Sequence, residues 1–186
     1  RAALLERFPE AQIEGRALDL AESHSVARIV QWVQGEGGID LLINNAGFGV
    51  YGDSARLSVE AEQAMIDVNA RSMHAMTRAF LPLMEGAGGG TIVNVASNSA
   101  FVPTPGLAIY AATKAFVRHY SVALTQELRN SGSPVRVMTV CPSAVSDTPF
   151  KTRAAMDGVR TFESFTATTA SEVASDIIKG LDRGAD

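Results

Sequence analysis

One cysteine, one tryptophan and three histidines among 186 residues remove several kinds of chemistry at the outset. Cys141 has no second cysteine with which to build an internal disulfide, and His24, His74 and His119 share no metal-ligand spacing, so no metal site is expected. No apolar run approaches the roughly 20 residues that a membrane-crossing helix needs. Positive charge is also short. Lys and Arg number 16 against 20 Asp and Glu, a net charge of -4, and they form no run. Nucleic acid and anionic membrane surfaces are therefore not expected as partners. A reducing, cytoplasmic setting fits this composition. The chain starts at Arg1 with neither methionine nor a charged-then-apolar leader, and the expectation is that sequence upstream is missing.

What is present suits a globular protein. With 46% hydrophobic and 19% charged residues, positions 1–186 can bury a sizeable core as a single domain. Residues 1–8 read as the tail of a helix and Ile13 to Leu20 as a short strand. Val26, Ile29, Val30 and Val33 return to helical spacing, and Gly35 to Gly38 stop that helix. Ile39 to Ile43 is an apolar run of the kind buried on both faces of a parallel sheet, and it leads into Asn44-Asn45-Ala46-Gly47. A long helix is expected from Ser58, with Met65, Asn69, Met76, Phe80 and Leu83 on its inner stripe. Gly86 to Gly90 end it as a flexible connection. Strand Thr91 to Ala96, helix Leu107 to Arg129, strand Val135 to Val140 and a last helix from Ser171 to Leu181 complete the pattern. Strands alternating with helices predict an α/β fold, a doubly wound parallel sheet of Rossmann-like type. Ligands of such sheets bind beyond the carboxyl ends of the strands.

The residues at those ends carry the interest. On the helix after Pro105, Leu107, Tyr110, Lys114, Val117, Ser121, Leu124 and Leu128 share one stripe, so Tyr110 and Lys114 stand one turn apart on the inward face. Two readings of Lys114 stay open: it snorkels to water, or it is held inside beside the tyrosine and a polyhydroxyl ligand. Ser97 follows the strand before this helix. By itself it reads as a cap or turn residue, but the Pro/Gly loop between could fold its hydroxyl toward Tyr110. Asn69 is a poor mid-helix residue that wants a hydrogen-bonding explanation, the plain one being a satisfied buried amide.

Asn44-Asn45-Ala46-Gly47, Asn69, Ser97 and Tyr110-x-x-x-Lys114 stand in the order and spacing of the short-chain dehydrogenase/reductase family, which this chain resembles over almost its whole length. The resemblance implies an NAD(P)-dependent oxidoreductase moving a hydride between a nicotinamide and an alcohol or carbonyl substrate. It implies that Tyr110 is the acid/base, with Lys114 favouring the phenolate and bonding the nicotinamide ribose. Ser97 would orient the substrate oxygen, and Asn69 would hold a water in a proton relay from Lys114. Asn45, Ala46 and Gly47 would pack on the adenosine half, and Asp19 with Leu20 would meet the adenine. Pro142, Ser143, Val145 and Thr148 would lie against the nicotinamide carboxamide, although the family favours glycine at the position of Ser143 and a threonine one residue from Thr148.

The family's first strand, glycine-rich turn and second strand do not appear in this sequence. The resemblance places the first two strands between Ile13 to Leu20 and Ile39 to Ile43, so the fold is expected to be incomplete at the N-terminus, and at the C-terminus as well. Residues 150–168 correspond to the variable substrate loop, where Phe150, with Met156, Phe162 and Phe165, could form an apolar substrate wall or simply core. The cofactor would be NADP or NAD. Arg1, which would sit just past the second strand, leans toward NADP. A homodimer or homotetramer is expected, because Ala108, Ala112, Ala115, Phe116, Tyr120 and Ala123 give the second long helix an apolar face off its inward stripe. Two rival readings are a non-catalytic Rossmann-fold binding protein that has lost its cofactor, and a sugar-nucleotide epimerase or dehydratase. The Asn-Asn-Ala-Gly turn and the short C-terminal part speak against the latter.

Overall fold

The computed structural model describes residues 2–156, 158–159, 162 and 166–185. Arg1 and Phe165, and part of the expected substrate loop, lie outside the described residues. Helices α1 (Ala2–Arg7) and α2 (Ser25–Gly35) precede strand β1 (Leu41–Asn44). Helix α3 (Val59–Ile66), a π-helical turn (Asp67–Ser72) and α4 (Met73–Gly86) form one continuous rod leading to β2 (Gly90–Val95). A 3₁₀ turn (Asn98–Ala100), α5 (Ala108–Ser131), β3 (Val135–Val140), α6 (Phe150–Arg153) and α7 (Ala170–Arg183) follow.

The strands form a parallel sheet in the order β1-β2-β3. In register, Leu42, Ile92 and Val137 stand side by side on one face. They join Phe80, Leu81, Met84, Leu124 and Leu128 of α4 and α5 in the main core, with Val26, Ile29, Val30 and Val33 of α2 packed against it. Successive strand residues point to opposite faces, so Met138 faces the other way. There it meets α7: a Cβ added at Gly180 would lie 2.8 Å from the Met138 terminal carbon. Helices thus cover both faces of β3, the doubly wound arrangement that the alternating pattern predicts.

The element bounds differ from the sequence expectations in ways with physical causes. The helix expected from Ser58 begins there: Ser58 accepts the Ala61 N–H as N-cap, with Glu60 and Glu62 in the first turn. Its stripe ends on Met84 rather than Leu83, which is exposed, because the buried face of the helix after the π-turn runs at four-residue spacing through Met76, Phe80 and Met84. The Gly86 to Gly90 run forms a turn with backbone hydrogen bonds. Gly89 donates to Met84 O and sits at φ 137°, where a Cβ would lie 2.9 Å from Pro134 O. The last helix starts at Ala170 behind a capping box of Thr169 and Glu172, and α5 runs to Ser131 before Gly132 closes it in the left-handed region.

Two expectations fail around β1. Ile13 to Leu20 forms no strand among the described residues, since a strand exists only by pairing and nothing pairs with it. Nor is β1 buried on both faces. It starts at Leu41, pairs among the described residues only with β2, and leaves Leu41 and Ile43 at 40% and 46% exposed while Leu42 is at 8%. The face that α7 covers at Met138 is only half covered at Ile43 by the described residues. An exposed edge with apolar flanks is a template for association. These 186 residues, expressed by themselves, should self-associate at micromolar concentration, and Leu41→Thr with Ile43→Thr should raise the monomer fraction in light scattering. A wild-type chain that is already monomeric, or a double variant that associates equally, would contradict this.

Candidate active site

The carboxyl ends of the strands are locked together by a polar ladder. Asn44 donates to Asn94 Oδ1 at 2.8 Å and to Thr77 Oγ1 at 3.2 Å, and Asn94 donates to Ser121 Oγ at 2.9 Å. The ladder runs from β1 through β2 to α5, and its buried amides are satisfied. It holds α5 at the height where Tyr110 and Lys114 reach the strand ends.

Lys114 is 5% exposed, and its Nζ donates to Val95 O, the last carbonyl of β2, at 2.9 Å. The snorkelling alternative is thereby overturned. Burial lowers its pKa to about 8, with a weaker opposing pull from Cys141. Its Nζ lies 5.8 Å from the centre of the Tyr110 ring. Tyr110 is 9% exposed; burial pushes its phenol upward, and a hydrogen bond with the Ser97 side chain pulls the other way. The protein's own groups thus move the Tyr110 phenol upward, and the resemblance adds the oxidised nicotinamide to Lys114 as what would favour the phenolate.

Ser97 combines its turn role with contact to the tyrosine. Its Oγ accepts the Ser99 N–H at 3.2 Å, capping the 3₁₀ turn, while Asn98 N donates to Pro142 O at 2.8 Å and draws the turn toward the end of β3. Cys141 is half-buried beside this turn, and burial raises its thiol, with Arg118, the Ser97 backbone and Lys114 acting in the opposite sense.

Asn69 lies inside the π-turn, fully buried, and its amide is committed. Its Oδ1 accepts Phe48 N–H at 3.0 Å, and its Nδ2 donates to Phe48 O at 2.8 Å and to Thr113 Oγ1 at 3.2 Å. Thr113 in turn donates to Tyr110 O. The satisfied-amide reading therefore describes the side chain, which pins the segment after Gly47 against α5. A Cβ at Gly47 would come within 3.0 Å of Asn69 Oδ1 and 3.4 Å of Lys114 Nζ, so glycine here permits the close approach. Asn45 bonds back to Ile43 O, and Ala46 continues the turn beyond β1.

Phe150 lies against Tyr110 with ring centres 5.3 Å apart and against Phe162 at 6.3 Å. Gly49 makes room for it, since a Cβ there would stand 2.8 Å from the Phe150 ring. Met65, Leu107, Met156, Phe48 and Val50 complete this apolar cluster. Pro142, Ser143, Val145 and Thr148 form a loop strapped to Thr168. Ser143 Oγ and Thr168 Oγ1 are 3.3 Å apart, Val145 bridges Thr168, and Thr148 donates to Val145 O. Asp19 closes its own turn by accepting Ala21 N–H at 2.8 Å, with Leu20 beside it.

The fold therefore brings Asn69, Ser97, Tyr110, Lys114, Gly47 and Phe150 into one cluster. Among the described residues it shows no hydrogen bond from the Asp19 turn or from Val145 and Thr148 to that cluster. Sequence reasoning missed Thr113, Gly49, Thr168 and the Val95 carbonyl. Thr113, next to Lys114 on the helix, was the one within reach of a motif argument. As for a nicotinamide cofactor, Lys114 is the telling group. Its ammonium has three donors, and among the described residues Val95 O is its one hydrogen-bond acceptor, so donors remain for a diol such as a ribose.

The family model described as short chain dehydrogenase matches residues 1–157. The NADP-dependent 3-hydroxy acid dehydrogenase YdfG of Salmonella typhi is 35% identical over 173 residues, 90% of this chain and 67% of that protein. The Escherichia coli K12 protein of the same name is 37% identical over 141 residues, 75% of this chain and 54% of its own length. A short-chain dehydrogenase from Sphingobium yanoikuyae, solved with NADPH, superposes with a TM-score of 0.86 at 30% identity, covering 99% of this chain and 70% of that one. A serine dehydrogenase solved with NADP+ gives 0.82 at 31% identity, covering 95% and 73%. With the Ser97, Tyr110 and Lys114 cluster at the strand ends, these likenesses place the chain in the short-chain dehydrogenase/reductase family of NAD(P)-dependent oxidoreductases.

Proposed function

We propose that residues 1–186 are a single Rossmann-type domain of an alcohol or carbonyl oxidoreductase in which Tyr110 is the acid/base, Ser97 orients the substrate oxygen and Lys114 serves both the tyrosine and the nicotinamide ribose. The observation that carries this reading is the buried ammonium of Lys114, fixed by one carbonyl and facing the tyrosine, with donors to spare. The nicotinamide supplies or accepts the hydride when bound. The chain's own residues manage the proton. A phenol raised by burial and bonded to a serine hydroxyl is a proton donor to a carbonyl oxygen held by that same hydroxyl. Asn69 holds the wall of the site through Phe48, so a relay water would rest on its backbone rather than its amide.

The adenosine half would rest on Asn45, Ala46 and Gly47 with the Asp19-Leu20 turn, and Pro142, Ser143, Val145 and Thr148 would flank the nicotinamide. Both NADP and NAD suit these residues, and the NADP named for several relatives favours the first. The substrate is a small alcohol or ketone, whose apolar part would meet Phe150 in the 150–168 loop. A cytoplasmic setting suits the single free cysteine. The non-catalytic alternative loses ground because a buried lysine is costly to keep where nothing uses it.

Tyr110→Phe in the intact enzyme should lower kcat by about 10²–10⁴-fold while the affinity for NADPH, read by nucleotide fluorescence, stays near wild type. Comparable turnover in the variant would remove Tyr110 from the mechanism. The pH dependence follows from Lys114. Its folded pKa, about 8, is depressed below the free value, so the charged form is penalised by folding. Its proton leaves as pH rises through 8, which relieves that penalty but takes a donor and the positive charge from the ribose site. kcat/KM for the cofactor should therefore fall above about pH 8, and Lys114→Met should be weaker throughout and lack this inflection. A wild-type profile flat from pH 7 to 9.5 would contradict the assignment.

A homodimer or homotetramer is part of the proposal. Phe116 stacks on Tyr120, His74 meets Tyr120 edge-on, and Phe116 and Val122 are 45% and 52% exposed on α5. Phe116→Glu in the intact enzyme should shift its light-scattering mass toward the monomer, and a wild type that is monomeric at micromolar concentration would end this part of the reading.

A further inference from the structure

The π-turn does more than present Asn69. Two residues before it stands Asp67 and two after it Arg71, and their side chains form an ion pair, Nε to Oδ1 at 2.6 Å. The same guanidinium reaches out of the helix: its Nη2 donates to Ala21 O at 2.5 Å, across 50 positions of sequence. Ala21 is not an arbitrary acceptor. Its N–H is held by Asp19 Oδ1, and Asp19 O accepts the Ser25 hydroxyl at the start of α2, so the carbonyl that Arg71 grips belongs to the turn carrying Asp19 and Leu20. On the other side, Asn69 grips both backbone groups of Phe48, immediately after Gly47. Within five consecutive residues the helix thus holds two separate loops, the one after β1 and the one before α2.

We propose that Arg71 is a positioning residue for the dinucleotide: pinned by Asp67, it clips the Asp19 turn to the π-turn, so that the adenine-side loop and the loop after β1 keep a fixed separation. The inference rests on the reading that Asp19 and Leu20 meet the cofactor. A guanidinium suits this task because its donors are fixed in a planar fork, so orienting Nε on Asp67 aims Nη2 at Ala21. Both side chains are partly exposed, about 39% and 38%, so the pair gives direction more than stability. A clipped turn has less freedom to lose when a ligand orders it, and affinity gained in this way appears in cofactor binding rather than in the chemical step.

The test uses the intact enzyme, with NADPH as the probe. Arg71→Met should weaken NADPH binding by fluorescence titration, and raise its KM, about tenfold, with kcat at saturating cofactor within about twofold of wild type. Arg71→Lys, which keeps the charge but not the fork, should recover part of the loss. In the cofactor-free protein, hydrogen exchange at the amides of residues 21–25 should quicken in Arg71→Met while that of β2 stays unchanged. Should Arg71→Met fold poorly, Arg71→Lys and Asp67→Asn carry the same comparison. Asp19→Asn separates the two layers of the argument. If it weakens NADPH binding while the Arg71 variants bind normally, the inference alone is overturned; if it too binds normally, the placement of this turn at the cofactor falls and the inference with it. A fall in kcat at unchanged NADPH affinity would also overturn it.

Discussion

The contact between the Lys114 ammonium and the Val95 carbonyl is the constraint around which the site is organised. A charged amine inside a protein must find acceptors, and the end of β2 provides one because the Val95 carbonyl lies beyond the last rung of the ladder to β1, Asn44 with Asn94. Placing it requires α5 to approach the sheet at a set height and rotation. Ser121 under Asn94 and Thr125 on the Val137 carbonyl fix that height. Once α5 is so placed, Tyr110 stands one turn above Lys114 and meets Ser97, whose own position is set by the 3₁₀ turn it caps.

The second organising feature is the π-turn between α3 and α4. Its extra residue carries an asparagine into full burial, and the amide satisfies a loop backbone that has left the sheet and has no ladder partner of its own. The cost of a mid-helix asparagine and of an irregular turn is offset by these bonds. The result is a closely packed wall between Gly47 and Lys114, where a Cβ at position 47 would press on Asn69 Oδ1 at 3.0 Å.

In contrast, the sheet is unevenly covered. The face under α4 and α5 is a closed core, while on the other face α7 reaches Met138 but not Ile43. The site draws on the closed side, from Asn44 of β1 and the Asn69 turn through β2 to α5, while Leu41 and Ile43 of β1 stay exposed. The chain covers 67% and 54% of the curated relatives named above, and its cofactor and substrate chemistry is to be tested in the intact protein.

Much of this was legible in the sequence, for reasons that can be named. Periodicity located α5 to within about two residues and its inward stripe to the residue, because a helix face is a local property: Leu107, Tyr110, Lys114, Val117, Ser121, Leu124 and Leu128 are all buried. Motif order placed Ser97 near Tyr110 before any coordinates did. The strands β2 and β3 were recognisable from their apolar runs. Tertiary structure alone decided whether Ile13 to Leu20 would pair and whether Ile43 would be covered, since pairing and cover depend on what stands opposite, not on the run itself. It decided that Lys114 turns inward to Val95 and that Asn69 serves Phe48, because each partner is distant in sequence and is chosen by the packing of α5 and the π-turn against the sheet. It also decided the link from Arg71 to Ala21, which no spacing rule could reveal: a guanidinium can reach many carbonyls, and only the assembled fold shows which one stands within its fork.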